Sequence, residues 1–134
     1  MISILKTTLQ LFFLVGFLLL AYSCTKKPNM NGFDLEGWKN DRGGCMGKRV
    51  KQVTELKALK QELKGTSAND LTDMFGAPDI HRLSERNQEY YIYFLEKGPH
   101  CGSLKPISNA KSVIFRLSAI KIVTEITFQN GASQ

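Results

Sequence analysis

Two hydrophobic periods divide this chain, and the point where one gives way to the other limits the folds open to it. From Arg49 to Lys64, Val50, Val53, Leu56, Leu59 (or Ala58) and Leu63 recur at steps of three and four among lysines and glutamates, the spacing of an amphipathic helix. From Tyr90 to Leu95 the step is two. Tyr90, Ile92 and Phe94 alternate with Tyr91, Tyr93 and Leu95 in a run rich in aromatic and branched residues, which reads as a strand apolar on both faces. Between these segments Gly65 ends the helix. Ser67 and Asp70 then make a capping-box-like start for a second, shorter helix through about Phe75, which Gly76 closes and Pro78 keeps from continuing. Gly98, Pro99, Gly102, Pro106 and Asn109 make residues 98–109 a loop. Val113–Leu117 and Lys121–Phe128 read as two strands of a hairpin that turns near Ser118-Ala119. The order is α-α-β-β-β. The expected fold is therefore α+β, with two N-terminal helices packed on one face of a three-stranded antiparallel sheet.

Ahead of this pattern, Lys6 precedes an apolar run from Leu9 to Leu20 that closes on Ala21-Tyr22-Ser23-Cys24. A basic start, a hydrophobic stretch short of a full membrane span and small residues before a cut describe an export signal. A cysteine directly after the cut is the mark of a bacterial lipoprotein, whose processing needs that thiol to carry diacylglycerol, so Cys24 is the expected lipidation site. An ordinary cleaved signal or an uncleaved anchor helix are the alternatives, and each still puts the rest of the chain outside the cytoplasm. Cleavage after residue 23 leaves 111 of 134 residues, enough for one domain with a modest core. The expected organisation is a signal at 1–23, a polar tether at 24–32, a domain at 33–130 and a tail at 131–134. Losing Lys6, the one charge of the signal, takes 18 basic residues to 17 against 12 acidic ones, a formal +5. Lys26 and Lys27 follow the lipid site, where each adds about 1 kcal/mol of attraction to anionic headgroups. The other cations are interleaved with acids, as on a solvated surface, and no nucleic-acid partner is expected.

With Cys24 consumed by lipid, Cys45 and Cys101 remain as a pair, and an oxidising compartment favours a disulfide between them. Such a bond closes a loop of about 57 residues and contributes roughly 4 kcal/mol on the chain-entropy scale. The sharper reading is a metal or redox site, because His100 adjoins Cys101 and Gly44-Cys45 is able to turn tightly around an ion. Against it, the chain has no C-x-x-C, and its two histidines lie far apart in sequence. No metal and no cofactor is expected.

The steps Gly65, Ser67, Leu71, Phe75, Gly76 and Pro78, followed by the aromatic strand and the final hairpin, resemble the small outer-membrane lipoproteins called BamE, also known as SmpA or OmlA. That family reads Gly-x-Thr, an aliphatic residue, Leu-Gly-x-Pro and then an aromatic-rich strand. The resemblance covers roughly residues 50 to 130. Phe75 stands where the family has Leu, the last hairpin lacks a turn glycine, and Trp38–Cys45 with Cys101 lies outside the motif. The resemblance implies a non-catalytic accessory subunit of the machinery that inserts β-barrel proteins into the outer membrane. Such a protein is held by lipid at the periplasmic face and contacts partner subunits and anionic phospholipid.

The motif positions also have structural roles of their own: Gly65 and Gly76 suit left-handed helix ends, Ser67 a cap, Leu71 and Phe75 the core, and Pro78 a stop. Such a motif identifies a fold more readily than a site. Tyr90, Tyr91 and Tyr93 are the candidate partner surface, with core packing as their other reading. The competing function is a stand-alone envelope lipoprotein that binds a ligand or inhibits a secreted enzyme. No nucleophile elbow, metal-ligand cluster or phosphate loop is present, so no catalytic residue is named. If Cys24 carries lipid, Cys24→Ala is expected to leave an unprocessed precursor that takes up no labelled fatty acid. Normal processing of the variant would end the lipoprotein reading.

Overall fold

The computed structural model describes residues 1–20, 27–102 and 108–132, so Cys24 and the cleavage region lie outside the described residues. Helix α1 spans Ile2–Leu20. Lys6, Thr7, Thr8 and Gln10 interrupt its apolar character, and among the described residues no helix is long and apolar enough to cross a membrane.

The domain begins where a carboxylate can cap a helix. Asp34 Oδ1 accepts from the Gly37 amide at 2.8 Å and starts α2 (Leu35–Asn40), which buries Trp38 completely. The next carboxylate, Asp41, is itself buried and gathers three amides, those of Met46, Lys48 and Arg49, at 2.6, 2.7 and 2.8 Å. Those bonds fold residues 41–49 into a tight double turn through Gly43 and Gly44. At Gly44 φ is +67°, and a Cβ there would lie 2.7 Å from the Glu96 nitrogen and the Leu95 carbonyl carbon, so no other residue fits.

The single helix expected from Arg49 to Lys64 is instead three short ones, α3 (Lys48–Lys51), α4 (Val53–Ala58) and α5 (Lys60–Leu63). The breaks fall at Gln52 (φ −100°, ψ 4°) and Leu59 (φ −82°, ψ 0°), whose backbones leave the helical well while the direction of travel persists. Gln52 turns its side-chain oxygen to the Asp34 amide at 3.0 Å, a bond outside the helix. Helix α6 (Ala68–Phe75) follows. Ser67 Oγ caps it by accepting from the Asp70 amide at 3.1 Å, and Leu71 and Phe75 lie fully buried on its inner side. Gly76, at φ +77°, ends it.

Four strands complete the domain: β1 (Ile80–Leu83), β2 (Glu89–Phe94), β3 (Lys111–Leu117) and β4 (Val123–Asn130). They form one antiparallel sheet in the order β1-β2-β3-β4. This corrects the three-stranded sheet with two N-terminal helices expected from the sequence. Among the described residues there are six α-helices and four strands, and only the α+β class holds. The strand missed is β1, four residues whose alternation Ile-His-Arg-Leu carries a polar side chain on each face and resembles a loop. It is made a strand by its partner, with Ile80 opposite Ile92 and Leu83 opposite Glu89. Residues 131 and 132 are held to the sheet. The Gly131 amide donates to Ala110 at 2.8 Å, the Ser112 hydroxyl donates to the Gly131 carbonyl, and Ala132 is buried.

The helices cover one face of the sheet. Phe33, Trp38, Phe75, Tyr93 and Phe115 pack there with ring centroids 5.4–6.1 Å apart, in tilted and edge-on pairs. A smaller cluster of Ile92, Phe94, Ala110, Ile114 and Ala132 occupies the other face. Between helices and sheet sits a buried ion pair, with Arg49 Nη1 2.6 Å from Asp79 Oδ2 and side chains only 1% and 7% exposed. Arg49 also donates to the carbonyls of Trp38 (3.2 Å) and Phe94 (3.1 Å), while Asp79 accepts from the amides of Gly43 (3.0 Å) and Phe94 (2.8 Å). Removing only the negative charge, in Asp79→Asn, strands a buried guanidinium and is expected to reduce stability to urea by about 3–5 kcal/mol. Adding Arg49→Met to Asp79→Asn is expected to restore at least about 1 kcal/mol of that loss. A double variant no more stable than Asp79→Asn would refute the unpaired charge as its cause.

Candidate functional site

The motif residues work as parts of the frame. Gly65 (φ +87°) places its amide 2.9 Å from the Val123 carbonyl, and the Val123 amide returns a bond to Thr66 at 2.9 Å, so the turn before α6 is stitched to the start of β4. Tyr93, Leu71 and Phe75 are fully buried, and the Tyr93 hydroxyl donates to the Gly76 carbonyl at 2.9 Å. Burial pushes that hydroxyl well above the usual tyrosine range. The Arg49 guanidinium pulls it back, and Asp79 and Tyr91 add to the rise. The three candidate tyrosines do not share a surface. Strand alternation sends Tyr91 and Tyr93 to the helix side and Tyr90 to the opposite face, where it packs against the smaller cluster.

Cys45 and Cys101 are joined by a disulfide, with Cα atoms 5.8 Å apart. His100 is held beside it. Its ring stacks on Phe94 at 3.9 Å, its Nε2 bonds the Gly43 carbonyl at 2.7 Å, and its Nδ1 pairs with the Ser108 hydroxyl at 2.8 Å. A carbonyl only accepts, so the proton is on Nε2, and Nδ1 accepts from Ser108.

The other convergence of polar groups lies at the opposite end of the sheet, where the β1–β2 and β3–β4 turns meet the start of α6. Ser67, Asn69, His81, Glu89, Tyr91, Ile120 and Lys121 line a cavity of about 480 Å3 there. Its floor is the Glu89 carboxylate, 7% exposed, which pairs with His81 Nε2 at 3.2 Å and with the Lys121 ammonium. Both partners are about half exposed, and His81 stands edge-on to Tyr91 at 4.9 Å. Ile120 on its rim is 80% exposed, and near it Leu83, opposite Glu89 across β1–β2, is 71% exposed. Among the described residues the non-glycine positions with left-handed backbone are Arg86, Asn87 and Lys121, and all lie in these two turns. Strain of that kind is held only where the surroundings over-determine it, and it gathers at working surfaces. Sequence reading missed this group because His81 lies on the unrecognised strand. Glu89 was visible only as the polar start of β2.

No protein-family profile, curated protein or solved structure matches the chain.

The left-handed backbone at residue 121 yields a direct test. Lys121→Ala loses the bond to Glu89 and keeps the strain, whereas Lys121→Gly loses the same bond and relieves it. The glycine variant is expected to be the more stable of the two in urea by about 1 kcal/mol. Equal stabilities would show that position 121 is not strained.

Proposed function

We propose that the chain is a lipid-anchored, non-catalytic protein of the cell envelope that acts by holding protein partners, as an accessory subunit in the insertion of β-barrel proteins into the outer membrane. The observation that carries this reading is the unit from Gly65 to Pro78, whose caps and core positions deliver the chain to the sheet. Next to its Ser67 end the domain opens on a cavity with Ile120 exposed on its rim. Open apolar side chains around a buried polar floor suit a protein neighbour, because truncating central anchors of that kind is what most weakens an interface.

The tether reaches the same end: Lys27 Nζ stands 4.0 Å from Asp70 at the start of α6, beside this cavity. The competing reading, an inhibitor or ligand binder with a tyrosine row, loses its recognition face because the row is split between two faces of the sheet.

The deciding experiment is cross-linking of the membrane-anchored protein in cells, followed by mass spectrometry. Recovery of barrel-insertion subunits, reduced by Ile120→Asp, is the expected result. Their absence from the cross-linked material would refute the assembly role.

A further inference from the structure

The geometry points to a zinc-class metal site that exists only when the Cys45–Cys101 bond is reduced, with Cys45, Cys101 and His100 as ligands. It concerns the disulfide end of the sheet and does not depend on the function proposed above. Among the described residues this is the grouping able to supply three metal ligands, and one ligand atom from each residue lies within 4.8 Å of the others. His100 Nε2 is 3.5 Å from the Cys101 sulfur, so the imidazole stands beside the sulfurs before any metal arrives. Two thiolates and a neutral imidazole balance a divalent ion in charge. They leave the fourth tetrahedral position to water, as in open zinc sites with two cysteines and one histidine.

The surroundings hold the histidine for this purpose. Stacking on Phe94 at 3.9 Å fixes the ring plane, and Ser108 occupies Nδ1 at 2.8 Å. For Nε2 to bind a metal, its 2.7 Å bond to the Gly43 carbonyl must open and its proton must move to Nδ1, and the Ser108 hydroxyl, now donating, would then accept. That is the outer-shell hydrogen bond that orients a metal-bound imidazole. The chemistry balances. A dithiol reductant attacks the disulfide, leaves as its own cyclic disulfide and delivers two hydrogens to the protein sulfurs. Binding of the divalent ion then releases the two thiol protons to solvent. All three ligands are half-buried, so both reductant and ion can reach them.

The test uses full-length protein with Cys24→Ala, which leaves Cys45 and Cys101 as the only thiols of the three in the chain. Co2+ is titrated anaerobically into the reduced and the oxidised protein, zinc is used to displace it, and thiolate-to-cobalt absorption is followed. The expected result is one Co2+ per reduced chain, displaced by Zn2+, and none on the oxidised chain. Ser108→Ala is expected to weaken binding by about tenfold, and His100→Gln by more. Equal binding to oxidised protein, or binding that His100→Gln leaves unchanged, would overturn the site. Near-ultraviolet dichroism of Trp38 checks the fold. If reduction abolishes that signal and zinc does not restore it, the site does not belong to the folded domain and the inference fails.

Discussion

The ion pair of Arg49 and Asp79 is the contact on which the arrangement of helices and sheet depends. A guanidinium 1% exposed is tolerable only with a counter-charge and hydrogen-bond partners, and Arg49 has both: Asp79, two carbonyls, and beside them the rings of Trp38 and Tyr93 at 4.9 and 5.6 Å. Each partner also binds backbone from a different part of the chain. Asp79 takes the amides of Gly43 and Phe94, and Arg49 takes the carbonyls of Trp38 and Phe94. The pair therefore fixes three things at once: the end of α2, the glycine turn, and the last residue of β2. An apolar pair of similar volume could fill the space with comparable stability. It would not select the register, because methyl groups do not distinguish one backbone carbonyl from the next.

The legible parts of this fold were those governed by local chemistry. Ser67, Gly65, Gly76 and Pro78 act within a few residues of themselves, so the limits of α6 could be read from sequence, as could β2, β3 and β4 from their composition. The illegible parts were decided by distant partners. β1 is a strand because Ile92 and Glu89 lie opposite its ends, and nothing in Ile-His-Arg-Leu announces this. The segment 35–40 is helical because Asp34 caps it and Trp38 has an aromatic cluster to enter, although Gly37 lies within it and Gly43-Gly44 follow. The breaks at Gln52 and Leu59 are invisible to a hydrophobic period, because the buried side remains the same on both sides of each break.

The candidate site shows the same division. A buried glutamate at a strand start is unremarkable in sequence. It becomes a site only when β1 brings His81 and the β3–β4 turn brings Lys121 to its two oxygens. The tyrosines show the opposite error of scale. Three aromatic residues within four positions look like one surface, yet a pleat of period two puts neighbours on opposite faces, so Tyr90 and Tyr91 cannot act together.

The disulfide divides the domain in a way that bears on both ends of the sheet. The loop it closes, from Cys45 to Cys101, holds α3 to α6 with β1 and β2, whereas the β3–β4 hairpin lies outside and joins by pairing with β2, by the Gly65, Thr66 and Ala68 bonds to its turn and by packing in the core. Opening the bond therefore raises the disorder available to the helical layer when unfolded, by roughly 4 kcal/mol for a loop of this size. Neither the ladder between β2 and β3 nor the Arg49–Asp79 pair involves either sulfur. A domain of this size holds about 5–15 kcal/mol in all, so the reduced form retains a folded state whenever the total exceeds the lower end of that range. The cavity end has no such brace. Its Glu89 is held by the half-exposed side chains of His81 and Lys121, and its turns hold left-handed residues. The chain has thus placed its covalent link and the Arg49–Asp79 pair at one end, and the exposed Ile120 and Leu83 at the end that the tether reaches. A rigid frame of that kind can present a surface to a neighbour without the fold itself having to yield.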